Sequence, residues 1–86
     1  MNDAILTFVL RRIQKNGAIP EAVSILDFDY RGAGFVDSIG IMKFVLDIEA
    51  EFGIEISDAD MEDRAFSTVG GLVSIIERRL QQRRPG

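Results

Sequence analysis

The residues from 38 to 52 constrain the fold of this chain more than any other stretch. Apolar residues recur there at helical spacing, at Ile39, Ile41, Met42, Phe44, Val45, Leu46, Ile48 and Phe52. At about 100° per residue they cover an arc of about 220°, which is wider than a helix buried on one side needs. We therefore predict a helix from about Ser38 to Phe52, ended by Gly53, as the central element that other helices contact on more than one side.

A second amphipathic helix is predicted at the start of the chain, from about Asp3 to Lys15. Asn2 or Asp3 can cap its first turn, and Asn16-Gly17 is a suitable left-handed stop. Its apolar side is formed by Ile5, Leu6, Val9, Leu10 and Ile13.

The last predicted helix follows a cap at Ser67 or Thr68. Its apolar stripe consists of Val69, Leu72, Val73, Ile76 and Leu80. Gly70 and Gly71 weaken such a helix by up to about 1 kcal/mol each relative to alanine, so tertiary packing must compensate. Arginines near its end suit a helix C-terminus, at Arg78, Arg79, Arg83 and Arg84. The tail, residues 82–86, is expected to fray.

A connection of about twenty residues, from Ala18 to Val36, separates the first two long helices, and a structureless loop of that length is unusual in so small a domain. We expect apolar side chains to pin it to the core, at Ile19, Val23, Ile25, Leu26, Phe28 and Phe35. Pro20 and Gly32-Ala33-Gly34 interrupt it, and residues 21–26 suit a short helical turn. The Gly-Ala-Gly segment favours a plain turn over a phosphate-binding loop, because it follows no clear strand and lacks the Gly-Lys-Ser/Thr ending.

The stretch after Gly53 is short and acidic. Ile54-Glu55-Ile56 is predicted to be an extended link that places two isoleucines in the core. Ser57 then opens a short third helix, whose acidic residues are Asp58, Asp60, Glu62 and Asp63. The segment lacks the glycine and spacing of a calcium-binding loop, so an acidic first turn favoured by the helix dipole is the better interpretation.

Composition excludes several classes of function. The chain has 86 residues, of which 47% are apolar, and this suits one folded domain, residues 1–86. It has no cysteine and no histidine, which excludes disulfides, a thiol nucleophile, a Ser-His-Asp triad and Cys or His zinc ligands within it. A net charge of -4 disfavours nonspecific nucleic-acid binding and favours basic protein partners. With no leader pattern and no membrane-spanning run, we expect a cytoplasmic monomer.

Asp37 and Ser38 stand at the start of the predicted central helix. Free backbone N–H groups and the positive end of the helix dipole suit a phosphate or phosphodiester on a hydroxyl at this place. The alternative is a plain N-cap, worth about 1 kcal/mol. These two residues on their own favour the cap, and the rest of the chain has to decide between the two interpretations.

In this order and spacing, the elements resemble the acyl carrier protein family, which includes peptidyl and aminoacyl carriers. The likeness runs from Ile5 to Leu80. Asp37-Ser38-Ile39 resembles the family's Asp-Ser-Leu, residues 49–56 resemble the end of its second helix, and residues 66–72 resemble the entry to its last helix. The resemblance implies an all-α fold, a small four-helix bundle with three longer helices, one short helix and a long first loop.

The resemblance also implies a function. In the family, the serine matching Ser38 receives 4'-phosphopantetheine from coenzyme A through a separate Mg²⁺-dependent phosphopantetheinyl transferase, and the thiol of that arm holds acyl or aminoacyl cargo as a thioester. Asp37 would help place the transferase's metal and coenzyme A. Ile39 and Met42 could contact partners and cargo, although core packing is favoured for both. Other partners would be a loading ligase and a downstream synthase or transferase.

The chain would thus be a substrate and not an enzyme, since the arm supplies a thiol that the sequence lacks. Two departures bear on its pathway. Lys43 and Ala50 occupy positions that are commonly glutamate in fatty-acid carriers, whose basic partners read an acidic stripe. The stripe that is left consists of Asp37, Asp47 and Glu51. The second departure from the family pattern lies next to Ser38, at Val36 and Gly40. We therefore expect a specialised lipid or secondary-metabolite pathway.

Two alternatives to a carrier remain. An armless helical adaptor derived from a carrier domain would share the fold, although the intact serine argues against it. An enzyme in its own right would need a nucleophile–base pair or a metal set, and the sequence offers neither.

Overall fold

Where the structure describes it, the chain folds as α-helices with one 3-10 helix. The computed structural model describes residues 3–15, 17–21 and 24–82. The bounds are α1 Asp3–Gln14, α2 Ser38–Phe52, α3 Asp58–Glu62, the 3-10 helix Arg64–Ser67 and α4 Val69–Gln82. These residues form no strand, only an isolated antiparallel bridge between Asp29 and Thr68. The predicted all-α fold, with three longer helices and a short one, is confirmed.

Some predictions fall on parts of the chain that are not described. The cap residue Asn2, the stop residue Asn16, the loop residue Val23 and the tail residues 83–86 lie outside the described residues. Gln82 is the last residue of α4. Among the helices that are described, none combines the length and the hydropathy of a membrane span.

The centre of the core is α4. Its fully or nearly fully buried side chains are Val69, Leu72, Val73, Ile75 and Ile76. It approaches α1 and the 3-10 helix most closely, and these elements contribute the buried Ile5, Val9, Ile13 and Phe66. The predicted apolar stripe of α4 is therefore confirmed. Ile75 is buried as well, although it was not part of the predicted stripe. Burial of these five side chains explains why this helix can contain two glycines near its start.

Gly70 and Gly71 are the places where other backbone segments touch α4. The N–H of Gly70 donates to the carbonyl oxygen of Leu26 at 2.8 Å. A Cβ built on Gly71 would overlap the carbonyl oxygen of Ala65. Both glycines therefore permit close backbone packing, which offsets their poor helix propensity. Thr68 caps the helix, since its Oγ1 accepts from the N–H of Gly71 at 3.1 Å.

The prediction that α2 is central was wrong. This helix begins and ends as predicted, but it buries only one side, at Ile41, Phe44, Val45 and Ile48. On its opposite side Ile39, Met42 and Leu46 are 73%, 52% and 61% exposed. The wide apolar arc therefore combines a buried side with an apolar surface, because none of the described helices covers the outer part.

The first loop is held by aromatic rings. Phe28 is buried as predicted, and Tyr30, which the sequence analysis did not select, is fully buried with its hydroxyl donating to the carbonyl oxygen of Phe66. Burial raises the pKa of the Tyr30 phenol. The expectation that Ile25 and Leu26 enter the core was wrong, since both are exposed. In that part of the loop the backbone makes a turn, and the carbonyl oxygen of Leu26 contacts α4 by accepting from the N–H of Gly70.

The link and the short helix after α2 follow the prediction. Ile54 and Ile56 are buried, and Ser57 forms a capping box with Asp60 at the start of α3. Asp60 was expected as part of an acidic first turn, and the structure shows that it is also buried, with only 4% of its surface exposed. Arg78 and Arg79 donate to its two oxygens at 3.1 and 2.8 Å.

These contacts set the charge state of the buried carboxyl. Burial by itself raises the pKa of Asp60, but the hydrogen bonds from Ser57 and Arg79 outweigh it and hold the pKa below its usual value. The carboxylate is thus an anchor between α3 and α4. No grouping of three or more acidic, cysteine or histidine side chains suited to a metal occurs among the described residues.

Candidate functional site at the start of α2

The sequence left two roles open at the start of α2, a helix cap and a modifiable hydroxyl, and the structure assigns them to different residues. Asp37 is the N-cap: its backbone is extended, and its Oδ1 accepts from the N–H of Gly40 at 2.6 Å. Ser38 is the first residue of α2 and is exposed. The cap interpretation is therefore confirmed for Asp37, and the hydroxyl of Ser38 has no capping bond among the described contacts. Capping and a modifiable hydroxyl coexist at this helix start.

The loop before Asp37 is held firmly against the core. The N–H of Phe35 donates to the carbonyl oxygen of Tyr30 at 3.0 Å, and its ring meets that of Phe28 edge-on with centroids 5.0 Å apart. Gly34 has a φ of 80°, which lets the chain reverse before it enters α2. Gly32-Ala33-Gly34 form a turn, as predicted. An exposed serine is thus carried by an entry segment with buried anchors.

An open hollow of about 530 Å³ lies at the start of α2, next to the residues on either side of Ser38 in the chain. It is lined by Gly34, Phe35, Val36, Asp37, Ile39, Gly40 and Lys43. A smaller hollow of about 120 Å³ shares Val36, Gly40 and Lys43 with it and is also lined by Arg12 and Phe44. The positive end of the helix dipole lies at Ser38 and favours an anionic phosphodiester there, and Lys43 adds a positive charge to the hollow at this helix start.

The exposed residues Ile39, Met42 and Leu46 are named here the α2 row. Core packing was favoured for Ile39 and Met42, and that expectation was wrong, since the row faces away from the core. Ser38 and Met42 are four residues apart, so they neighbour each other on the helix surface. A group attached to Ser38 would thus emerge at the end of an exposed apolar surface.

The acidic stripe of α2 is mostly engaged within the chain. Asp37 is the cap, and Asp47 forms an ion pair with Arg12, whose Nε lies 2.8 Å from its Oδ2. Arg12 also lies over the ring of Phe44, 5.8 Å from its centroid. Glu51 is exposed on the flank towards α1. Sequence reasoning missed the role of Arg12, because a pair between residues far apart in the chain leaves no local pattern.

Comparison with known proteins identifies the family. A family model described as "Phosphopantetheine attachment site" matches residues 11–76. An acyl carrier protein of Thermotoga maritima is 48% identical over 44 residues, which are 51% of this chain and 52% of that protein. Acyl carrier protein 2 of Pseudomonas aeruginosa is 35% identical over 60 residues, which are 70% of this chain and 76% of that protein.

The match thus spans about half the length of the Thermotoga protein and three quarters of the Pseudomonas one. No solved structure matched the chain significantly. Acyl carrier proteins are carriers and not enzymes, in agreement with the prediction made from the residue types. The resemblance seen in the sequence is confirmed, and the chain belongs to the phosphopantetheine attachment site family, among relatives of acyl carrier type.

Proposed function

We propose that this chain is an acyl carrier protein in which Ser38 bears a 4'-phosphopantetheine arm. The observation that supports this most directly is the division of roles at the start of α2. Asp37 caps the helix, and the neighbouring serine is exposed at the positive end of the helix, with no hydrogen bond from its hydroxyl to any other described residue. The phosphopantetheine attachment family supplies the chemical identity of the group.

The chain's own residues have three tasks in this proposal. Asp37 fixes the first turn of α2 through the N–H of Gly40, so that the serine hydroxyl keeps a constant direction. The anchored loop before it keeps that turn in place during contact with a transferase. The arm itself, once attached, supplies a thiol that holds acyl or aminoacyl cargo as a thioester. A tethered cargo reaches each docked enzyme at a high effective concentration.

The partners implied are a phosphopantetheinyl transferase, an acyl- or aminoacyl-loading ligase and a downstream synthase or transferase. We place the protein in the cytoplasm, as a monomer of a single domain, residues 1–86. The lysine at position 43 and the alanine at position 50 support a specialised lipid or secondary-metabolite pathway. If general fatty-acid enzymes elongated cargo on this protein as fast as on their own carrier, the specialised pathway would be wrong.

The carrier proposal is tested by mass. The protein is incubated with coenzyme A, Mg²⁺ and a broad-specificity phosphopantetheinyl transferase, and its intact mass is measured before and after, followed by peptide mapping. We expect a gain of one phosphopantetheine on Ser38.

Two variants control this measurement. Ser38→Ala should abolish loading while the stability changes by less than a capping energy of about 1 kcal/mol, because Asp37 is the cap. Ser74→Ala removes another exposed serine hydroxyl, in α4, and should load normally. Loading of Ser38→Ala at any other serine would contradict the assignment. A folded wild-type protein that gains no mass would favour the armless adaptor, for which the α2 row would be the interaction surface.

A further inference from the structure

The outer surface of α2 is apolar next to the serine that we propose carries the arm. At about 100° per residue, the three members of the α2 row lie within about 60° of one another around the helix. Ala50, which is also exposed, extends the row towards the end of α2. Side chains of this size, each more than half exposed, are costly to leave in water. Such a surface beside an attachment site is suited to contact with another protein.

One cation lies on this apolar surface. Lys43 is exposed and sits four residues from Ile39, about 40° from it around the helix. The acidic side chains on either flank are already occupied: Asp47 pairs with Arg12, and Glu49 accepts the N–H of Ile56 at 2.8 Å. Glu51 lies further round, on the side of α1. In the described part of the chain, the ammonium group of Lys43 has no anionic partner.

We propose that the α2 row and Lys43 together dock enzymes whose surface has an apolar groove bordered by a carboxylate, and that Lys43 selects these over enzymes bordered by basic side chains. The inference rests on the proposed function, since it takes Ser38 as the place of the arm. An apolar contact that covers the row also removes water from Lys43. A partner carboxylate opposite Lys43 then forms an ion pair that is shielded from water, whereas a partner arginine or lysine there places two like charges next to each other.

The charge of the whole chain acts in the other direction. Its net charge of -4 attracts basic surfaces at long range, but ordinary salt screens such attraction beyond about 8 Å. The contact at Lys43 is local and is screened much less once the row is covered. Selection by Lys43 is therefore a property of the docked complex, and a change of charge at a lysine just beyond the end of α1, on the flank of α2 and not on the row itself, should not reproduce it.

The test uses two amphipathic helical peptides with the same apolar stripe, one flanked by glutamates and the other by lysines. Each is titrated by NMR into the phosphopantetheine-loaded protein at physiological salt. The quantity measured is the ratio of the two dissociation constants. The test variant is Lys43→Glu. The matched control is Lys15→Glu, which makes the same charge change at an exposed lysine just beyond the end of α1.

We expect Lys43→Glu to shift the ratio about tenfold towards the lysine peptide, and Lys15→Glu to shift it less than about twofold. Shift changes should centre on the amides of the α2 row. Equal effects of the two variants, shift changes elsewhere, or self-association through this row would each overturn the inference. The mass of the protein after loading is read separately. Absence of the arm contradicts the proposed function, whereas a loaded protein with an unchanged ratio contradicts only the role of Lys43.

Discussion

The two long helices α2 and α4 show that apolar content and burial are different properties. α2 is the more apolar of the two, yet α4 contributes more buried side chains to the core and α2 leaves three large apolar side chains exposed. The difference lies in their neighbours. α1, the 3-10 helix and the first loop all pack against α4, whereas no element of the described residues covers the outer side of α2. An apolar helix is buried only as far as the rest of the chain can surround it.

The largest effect should come from truncating one leucine in each helix. Leu72 in α4 is fully buried and Leu46 in α2 is 61% exposed. Leu72→Ala should lower the free energy of unfolding by about 3 kcal/mol, through lost burial and a cavity. Leu46→Ala should lower it by less than about 0.5 kcal/mol. Urea denaturation of both variants measures this, and equal losses would mean that α2 is as deeply packed as α4.

A smaller loss is expected from adding a methyl group to α4. Gly71→Ala gains up to about 1 kcal/mol of helix propensity, but its Cβ meets the backbone of Ala65. We expect a net loss of about 2 kcal/mol, as is typical of overpacking. Ser74→Ala, at an exposed position of the same helix, should be neutral or slightly stabilising. If thermal denaturation shows that Gly71→Ala is more stable than wild type, the close approach of the Ala65 backbone to Gly71 is contradicted.

The ion cluster that ties α3 to α4 should have a moderate effect that depends on pH. Asp60→Asn should lower the free energy of unfolding by about 1–2 kcal/mol at neutral pH, a value reduced because Arg78 is 52% exposed. Asp58→Asn, at an exposed position of the same helix, serves as the control.

The sign of the pH dependence follows from the lowered pKa of Asp60. The unfolded carboxyl, with a pKa near 3.8, binds a proton before the folded one does. The contribution of Asp60 is therefore complete above that pH and is lost as the pH falls through 3.8 to the lower folded pKa. When wild type and Asp60→Asn are denatured across this range, the difference between their free energies of unfolding should shrink as the pH falls. A constant difference down to the lowest pH would contradict the anchor.

The smallest effect concerns the ion pair on the flank of α2. A double-mutant cycle with Arg12→Ala and Asp47→Ala should give a coupling of about 0.2–1 kcal/mol, because Asp47 is 51% exposed. The coupling should shrink at high salt. A coupling above about 2 kcal/mol would mean that α2 is held to α1 by charge more than by its buried side, which would change the comparison with α4.

Prediction from the sequence was most successful where the signal is local. The bounds of α2, the stop at Gly53, the buried pair Ile54 and Ile56 and the capping role of Ser57 all depend on residues close together in the chain. The candidate serine was found in the same way, from a motif at a helix start. That Ser38 receives the arm stays a prediction until its mass is measured.

Features that join distant parts of the chain were missed. Tyr30 bonds to Phe66, Arg12 pairs with Asp47, and Asp60 is held by Arg78 and Arg79. In each case the partner is a side chain or carbonyl group far away in the sequence. No periodicity or spacing records such a pair, because it depends on how the helices are placed relative to one another.

The sequence by itself determined the α-helices, the stop at Gly53 and the place of Ser38 at the start of α2, since these follow from backbone propensity and short-range hydrogen bonds. It did not determine which side of the apolar helix α2 would face water. That outcome depends on how much surface the remaining helices can cover, and in this chain α1 and the 3-10 helix pack most closely around α4. The tertiary arrangement therefore decided that an apolar row with Lys43 stands exposed beside the serine, where a partner can reach it.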